Sequence, residues 1–280
     1  MHRAAPQIGR QYPGRKAAPQ SAFIRFGFGL LFLLPSLWPV LRRGFAPGVL
    51  PAYLGRGAVH TVAVVLWFYA MARLPVAEVT AIGYLNPVLV TVGAAVFFGE
   101  RLALRRILAV AVAICGAAII LRPGLREIGA GQWAQVGAAF CFAGSYLFAK
   151  RLSRSESAGA VVAMMSLCVT LGLLPLALAV WVPVTMLQLG ALALVAVAAT
   201  SGHYCMSRAF SIAPLTVTQP VTFLQLVWAA TLGAVVFGEP VDGYVMLGGA
   251  VIIAAISYIT WREAALRRAG TTPPVAATKG

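Results

Sequence analysis

Residues 72–100, ARLPVAEVTAIGYLNPVLVTVGAAVFFGE, and residues 211–239, SIAPLTVTQPVTFLQLVWAATLGAVVFGE, align at a constant offset of 139 with no gap. Pro75 falls on Pro214, Leu85 on Leu224, Val88 on Val227, Val96 on Val235, and Phe98-Gly99-Glu100 on Phe237-Gly238-Glu239. An apolar composition supplies matching valines unaided. It does not readily bring a helix-starting proline and a Gly-Glu terminus into register together. The chain therefore reads as an internal duplication, each copy holding a turn proline, an apolar helix and a Gly-Glu stop.

The material around the two copies is as apolar as the copies themselves. Of 280 residues, 60% are hydrophobic and 10% charged, with a mean hydropathy of +0.87, which leaves too few polar groups to coat a soluble globule. A bilayer is the solvent that fits. The net charge of +15 is carried by short clusters between apolar runs. Such clusters suit anionic lipid headgroups, and no nucleic-acid partner is expected. Cys115, Cys141, Cys168 and Cys205 each sit inside an apolar run with no CxxC spacing, so neither a metal site nor a disulfide framework is signalled.

Runs long enough to span a bilayer, about 20 residues, fall near 23–41, 57–73, 76–98, 103–121, 133–150, 159–181, 187–209, 213–237 and 241–260. Charge or turn signals such as Leu41-Arg42-Arg43-Gly44, Arg122-Pro123-Gly124 and Trp181-Val182-Pro183 separate them. Long apolar runs without short alternating strands predict an all-α fold: a polytopic transmembrane helical bundle of about nine spans. Between equivalent helices of the two copies lies an odd number of spans, so the copies enter the membrane in opposite senses. Inverted-topology repeats of this kind build many secondary transporters, with the substrate site near the midplane where the halves meet.

Charge sets the orientation. With the C-terminal tail and its Arg262, Arg267 and Arg268 in the cytoplasm, Arg42, Arg43, Arg101, Arg105, Arg106, Lys150, Arg151, Arg154 and Arg208 fall on the same side. Only Arg73, Arg122 and Arg126 fall opposite, which is the positive-inside bias. Nine spans would leave the basic N-terminal tail outside, against that rule. An even number would place it inside, so one N-terminal helix is expected to be missing from the sequence as it begins at Met1.

The stretches YAMARLPVAEVTAIGYLNPV and FFGERLALRRILAVAVAICGAAIILRPG resemble the EamA-type repeat of the drug/metabolite transporter superfamily. RAFSIAPLTVTQP and VVFGEPVDGYVMLGGAVIIAAISYI resemble its second copy. The resemblance implies ten helices in two five-helix repeats, both termini cytoplasmic, and a central cavity opening alternately to either side. It also implies solutes such as amino acids, nucleosides, S-adenosylmethionine, riboflavin or drugs. Ser21 to Phe26 resembles the opening of the family's second helix, so the first helix is absent and the 5+5 arrangement incomplete. The expected organisation is a basic tail over 1–21, a first repeat over 22–122 short by one helix, a second over 132–261, and a cytoplasmic tail over 262–280. A chain lacking that helix is expected to leave a gap beside its cavity, and to fold poorly or be inactive.

Polar groups at helical spacing on apolar helices mark the candidate substrate-binding face, since a lipid-facing surface has no use for them. These are Thr200, His203, Tyr204 and Ser207 on one stripe; Thr218, Thr222 and Gln225 with Trp228 on a second; and His60 and Trp67 two turns apart. Thr80, Tyr84, Asn86 and Ser145 complete the set. Glu78 lies three residues after Pro75, where it suits a helix start as well as a protonatable site. Each Ser and Thr has an equally ordinary reading as helix glue or as a back-bond to a carbonyl. Arg25 is the only arginine that falls at cavity depth, which favours a neutral or cationic organic solute.

No HExxH, GxSxG or paired intramembrane carboxylates occur, so no catalytic residue, metal or cofactor is assigned and an enzyme is not expected. A GxxxxGK[ST] loop is also lacking, so this polypeptide does not couple ATP directly. The expected function is a secondary transporter of a small-molecule solute in the bacterial inner membrane, and a homodimer is compatible with it. A non-transporting membrane scaffold or chaperone subunit is the rival.

Overall fold

The computed structural model describes residues 18–98, 104–122, 127–212 and 224–271. Among them every regular element is helical. In chain order these are α1 (Ala18–Phe32), α2 (Leu34–Arg43), α3 (Val49–Met71), α4 (Val76–Gly83), α5 (Leu85–Phe98), α6 (Leu104–Leu121), α7 (Ala130–Leu152), α8 (Ala158–Ala179), α9 (Met186–Ile212), α10 (Leu224–Phe237) and α11 (Gly243–Thr271). Three helices, Val49–Met71, Ala158–Ala179 and Met186–Ala209, are each long and apolar enough to cross a bilayer, and α1 with α2 make a fourth if counted as one span. Shorter apolar helical stretches lie at Val76–Val90, Ala111–Leu121 and Gly243–Ala255.

Two of the expected spans are broken, and proline explains both. The run 23–41 divides at Leu33 into α1 and α2, bent by 73°. Pro35 in the first turn of α2 has no N–H to give and its ring crowds the carbonyl four residues back, so α1 cannot run on. The run 76–98 divides at Tyr84. Pro87 stands four residues beyond Gly83, where α4 stops. The described boundaries elsewhere fall within a few residues of the hydropathy reading, except at the end of α11 and at the start of α3, which begins at Val49 and not near 57; the start of the expected span 213–237 lies outside the described residues. Apolar Leu50, Ala52, Tyr53 and Leu54 extend it backwards across Arg56, the charge at which the hydropathy reading stopped. At its far end α11 stays helical through Thr271, past the point where the tail was expected to begin.

Packing is close because glycine lines the crossings. Down α3 and α7 the contacts run antiparallel: Gly55 against Phe148, Val59 against Gly144, Leu66 against Gly137, and Leu74 against Gly131. On its other side α3 meets α8, where a Cβ on Gly57 would stand 2.2 Å from that of Cys168. Helix α1 lies across α8 and α9, and α6 along α11. The α6–α11 crossing is also antiparallel, since Gly116 meets Ile252 while Ile120 meets Gly248. Two apolar clusters result. One joins α1, α2, α3, α7 and α8 around Phe26, Tyr53, Val161 and Leu173, and the other joins α4, α6 and α11 around Ile82, Ile120 and Ile252. Large apolar side chains such as Phe97, Leu187, Leu194 and Val235 point outward, as a lipid-facing surface requires.

Polar links fasten the helix ends. Gln20, buried, clamps the backbone of Val182 with both arms of its amide, donating to the carbonyl at 2.7 Å and accepting from the N–H at 3.0 Å. Gly238, at φ +62°, ends α10 in the left-handed conformation that glycine adopts without strain. Glu239 then reaches across the chain to accept the Val76 N–H at 2.8 Å, so the Gly-Glu stop of the second copy caps the first helix of the other. Helix α5 and helix α10 begin and end at positions related by the same offset that aligns the sequence copies.

Candidate functional site

His60 is eleven residues into the 23-residue helix α3, and so at its middle, about 16 Å from either end at 1.5 Å per residue. Its Nδ1 lies 3.0 Å from the Ser145 hydroxyl of α7, both side chains being buried. The His203 ring of α9 approaches edge-on at 5.7 Å between centroids. Phe26 of α1 and Phe142 of α7 close two more sides of the imidazole. One residue of the first half thus meets two of the second.

Two arginines accompany the histidines. Arg56 is one turn before His60 on the same face of α3 and is 1% exposed. One of its terminal nitrogens donates to the Val161 carbonyl of α8 at 2.8 Å, and its Nε has no hydrogen-bond partner. Arg25, half-buried on α1, holds its guanidinium over the Phe26 ring at 3.8 Å. Both arginines are electrostatic neighbours of both histidines. Towards the Arg43 end, Tyr53 donates to Glu156 at 3.0 Å and Arg43 pairs with the same carboxylate.

Placing arginine at this depth corrects the sequence reading, which put only Arg25 there. Arg56 was hidden because a charge ends an apolar window, whereas its aliphatic stem packs readily within a helix interface. The i, i+4 spacing to His60 was the available signal.

The other candidates divide by position. Ser207 is buried one turn beyond His203. Thr200 packs its hydroxyl against Gly29 of α1. Tyr204, 44% exposed, borders Gly159. Trp67 packs on Phe68 and flanks the apolar contact of Ala70, Val79 and Ala134. Thr80 returns its hydroxyl to the Val76 carbonyl at 2.8 Å. Tyr84 and Asn86 are buried at the α4–α5 break. Glu78, in the first turn of α4, accepts from Gln132 of α7 at 3.2 Å, and Gln135 donates to the Val79 carbonyl at 3.0 Å. The structure brings none of these last four to the histidine cluster. Gln225 and Trp228 lie exposed on α10. Thr218 and Thr222 lie outside the described residues. Among the described residues no group of His, Cys, Asp and Glu side chains could hold a metal.

Comparison with known proteins fits this architecture. The EamA-like transporter family matches residues 8–122 and again residues 130–261. The chain belongs to that family. This EamA-like chain is 28% identical over 255 residues to the riboflavin transporter of Vibrio cholerae, covering 88% of this chain and 84% of the relative. It is 28% identical over 211 residues to the pseudopaline exporter CntI of Pseudomonas aeruginosa, covering 73% of each. A protein crystal structure at 19% identity superposes with a TM-score of 0.57 over 92% of this chain and 91% of the other, a likeness of fold alone. The EamA-like chain is a multi-pass membrane protein, and its relatives bear the names of small-solute carriers.

Proposed function

We propose that this EamA-like chain is a secondary carrier that moves a small organic solute across the bacterial inner membrane by alternating access. The observation that carries the reading is the cluster of His60, Ser145 and His203, which joins the first half of the chain to the second at the depth where a carrier needs its site. Buried imidazole and hydroxyl groups are costly in hydrocarbon unless they bond something, so their convergence on one spot favours a ligand site over random packing. Antiparallel packing of α6 on α11 supports an inverted repeat, because these helices start at equivalent positions of the two copies. The basic side, bearing Arg42, Arg43, Lys150 and Arg151, is cytoplasmic by the positive-inside bias, and so is the C-terminus.

Purified chain in proteoliposomes, offered labelled riboflavin and a panel of amino acids and nucleosides, tests the proposal. A solute on the panel is expected to enter faster than into protein-free vesicles. His60→Ala and Ser145→Ala are expected to slow that uptake roughly tenfold each, the equivalent of about 1.4 kcal/mol. If no solute moves in either direction, the scaffold reading takes over.

A further inference from the structure

The first 77 residues contain no acidic side chain, and none occurs within α1, α3, α7, α8 or α9, the helices that surround the histidine cluster. Glu156, in the α7–α8 turn, is already taken by Arg43 and Tyr53. Two guanidinium groups therefore stand beside two imidazoles in the membrane interior with no counter-charge from those helices. Arg56 is almost wholly buried, bonded to one carbonyl, and has an unpartnered Nε. Isolated positive charge is among the most expensive things to bury, and in membrane proteins it is kept where it binds something. Structural arginines at such depth are expected to carry a carboxylate partner, and among the described residues this one has none.

Building on the carrier reading, we infer that the solute is an organic anion whose carboxylate or phosphate group is held by Arg25 and Arg56, with His60 and His203 beside it. A guanidinium presents a planar fork of donors that fits an oxyanion, and its attraction is strongest where water is excluded. Tyr53, Arg56 and His60 follow at i, i+3 and i+7 along one face of α3. That line runs from the Arg43–Glu156 pair to the middle of the helix. An organic cation would meet like charge at Arg25 and Arg56.

Thermal unfolding of the full chain in detergent, at fixed ionic strength, tests the assignment with probes matched in shape and different in charge. Flavin mononucleotide adds a phosphate to riboflavin, and benzoate, benzamide and benzamidinium share one ring. The anionic member of each set is expected to raise Tm above its neutral partner, and benzamidinium to give no rise. Arg56→Met is expected to leave the unliganded Tm unchanged or higher, because it removes an uncompensated charge, while weakening anion binding about 10- to 100-fold. Arg25→Gln, which leaves the Val161 bond intact, is expected to weaken it as well, and Arg56→Lys to restore part of it. Equal protection by neutral or cationic members, no protection by any anion, or anion binding that survives loss of both arginines overturns the inference. Anion binding without uptake would instead count against the carrier reading, and uptake of a neutral solute without anion binding against the anion site alone.

Discussion

Helix α7 carries buried polar side chains near its start and again past its middle, and the two groups behave differently. At its start, Gln132 donates to Glu78 and accepts from Gly129, while Gln135 donates to the Val79 carbonyl. Amide, carboxylate and backbone there are bonded to one another, and a single amide oxygen, that of Gln135, is left over. Fifteen or so ångströms along, at about 1.5 Å per residue, Ser145 meets His60, and the buried Arg56 one turn from that histidine has no carboxylate partner among the described residues. The first group is a fastener between α4 and α7. The second has hydrogen-bonding and charge capacity to spare, which is what a site for a transient ligand requires and a fastener does not.

The largest test of this contrast lies in the glycines that hold each region together. Gly57→Ala would drive its methyl into the Cβ of Cys168, with no soft side chain to yield. A loss of more than about 3 kcal/mol of stability is expected, read as lost monodispersity or a steep fall in Tm. At the fastener, Gly131→Ala meets Leu74 and Arg73 side chains at 3.1 to 3.2 Å, which can move aside. About 1 kcal/mol or less is expected there. Equal losses would mean that the α3–α8 contact is no tighter than that of α7 on the turn between α3 and α4.

Exchanging the polar partners comes next. Glu78→Leu strands the Gln132 amide and is expected to cost about 1–3 kcal/mol, with the apparent KM for solute unchanged. Ser145→Ala, by contrast, is expected to cost about 1 kcal/mol or less in stability and to act mainly on uptake. A reversal of these two patterns, with Glu78→Leu altering KM and Ser145→Ala altering only Tm, would exchange the roles assigned to the two regions.

The smallest effect is expected from Asp242, which ties α11 to Arg122 at the end of α6. Burial pushes its carboxyl up, but the Tyr244 N–H and Arg122 outweigh that and hold it below the usual carboxylate range. A lowered folded pKa contributes stability above the unfolded value of about 3.9, and that contribution is lost as pH falls through the folded value. Asp242→Asn should therefore lower Tm slightly at pH 7 and make no difference in acid below the folded pKa. This group is partly exposed, so a shift of a few degrees at most is expected.

The helical class was legible in the sequence because it rests on local pattern. The helix faces of His60 and His203 follow from spacing, and their convergence needed only the assumption that polar groups avoid lipid. Three things were not legible. Breaks at Pro35 and Pro87 lie inside strongly apolar windows, where hydropathy is blind to a missing N–H. Arg56 ended a window that the helix in fact crosses, so the most informative charge was assigned to a loop. The partners of Glu78 and Glu239 are 54 and 163 residues away, and no periodicity encodes which distant N–H a carboxylate will find.

The central proposal is that an electropositive site, opened to water in turn from each side, lies between the halves at mid-membrane. Cysteine labelling in proteoliposomes tests it most directly, using a chain in which Cys115, Cys141, Cys168 and Cys205 are replaced. His203→Cys faces the cluster and Leu194→Cys, on the same helix, faces outward at 71% exposure. The account predicts that the His203→Cys chain reacts with membrane-impermeant methanethiosulfonates, faster with the anionic ethylsulfonate than with the cationic trimethylammonium reagent, while the Leu194→Cys chain stays silent in lipid. A His203→Cys chain as unreactive as the Leu194→Cys chain, or one that prefers the cationic reagent, would contradict it.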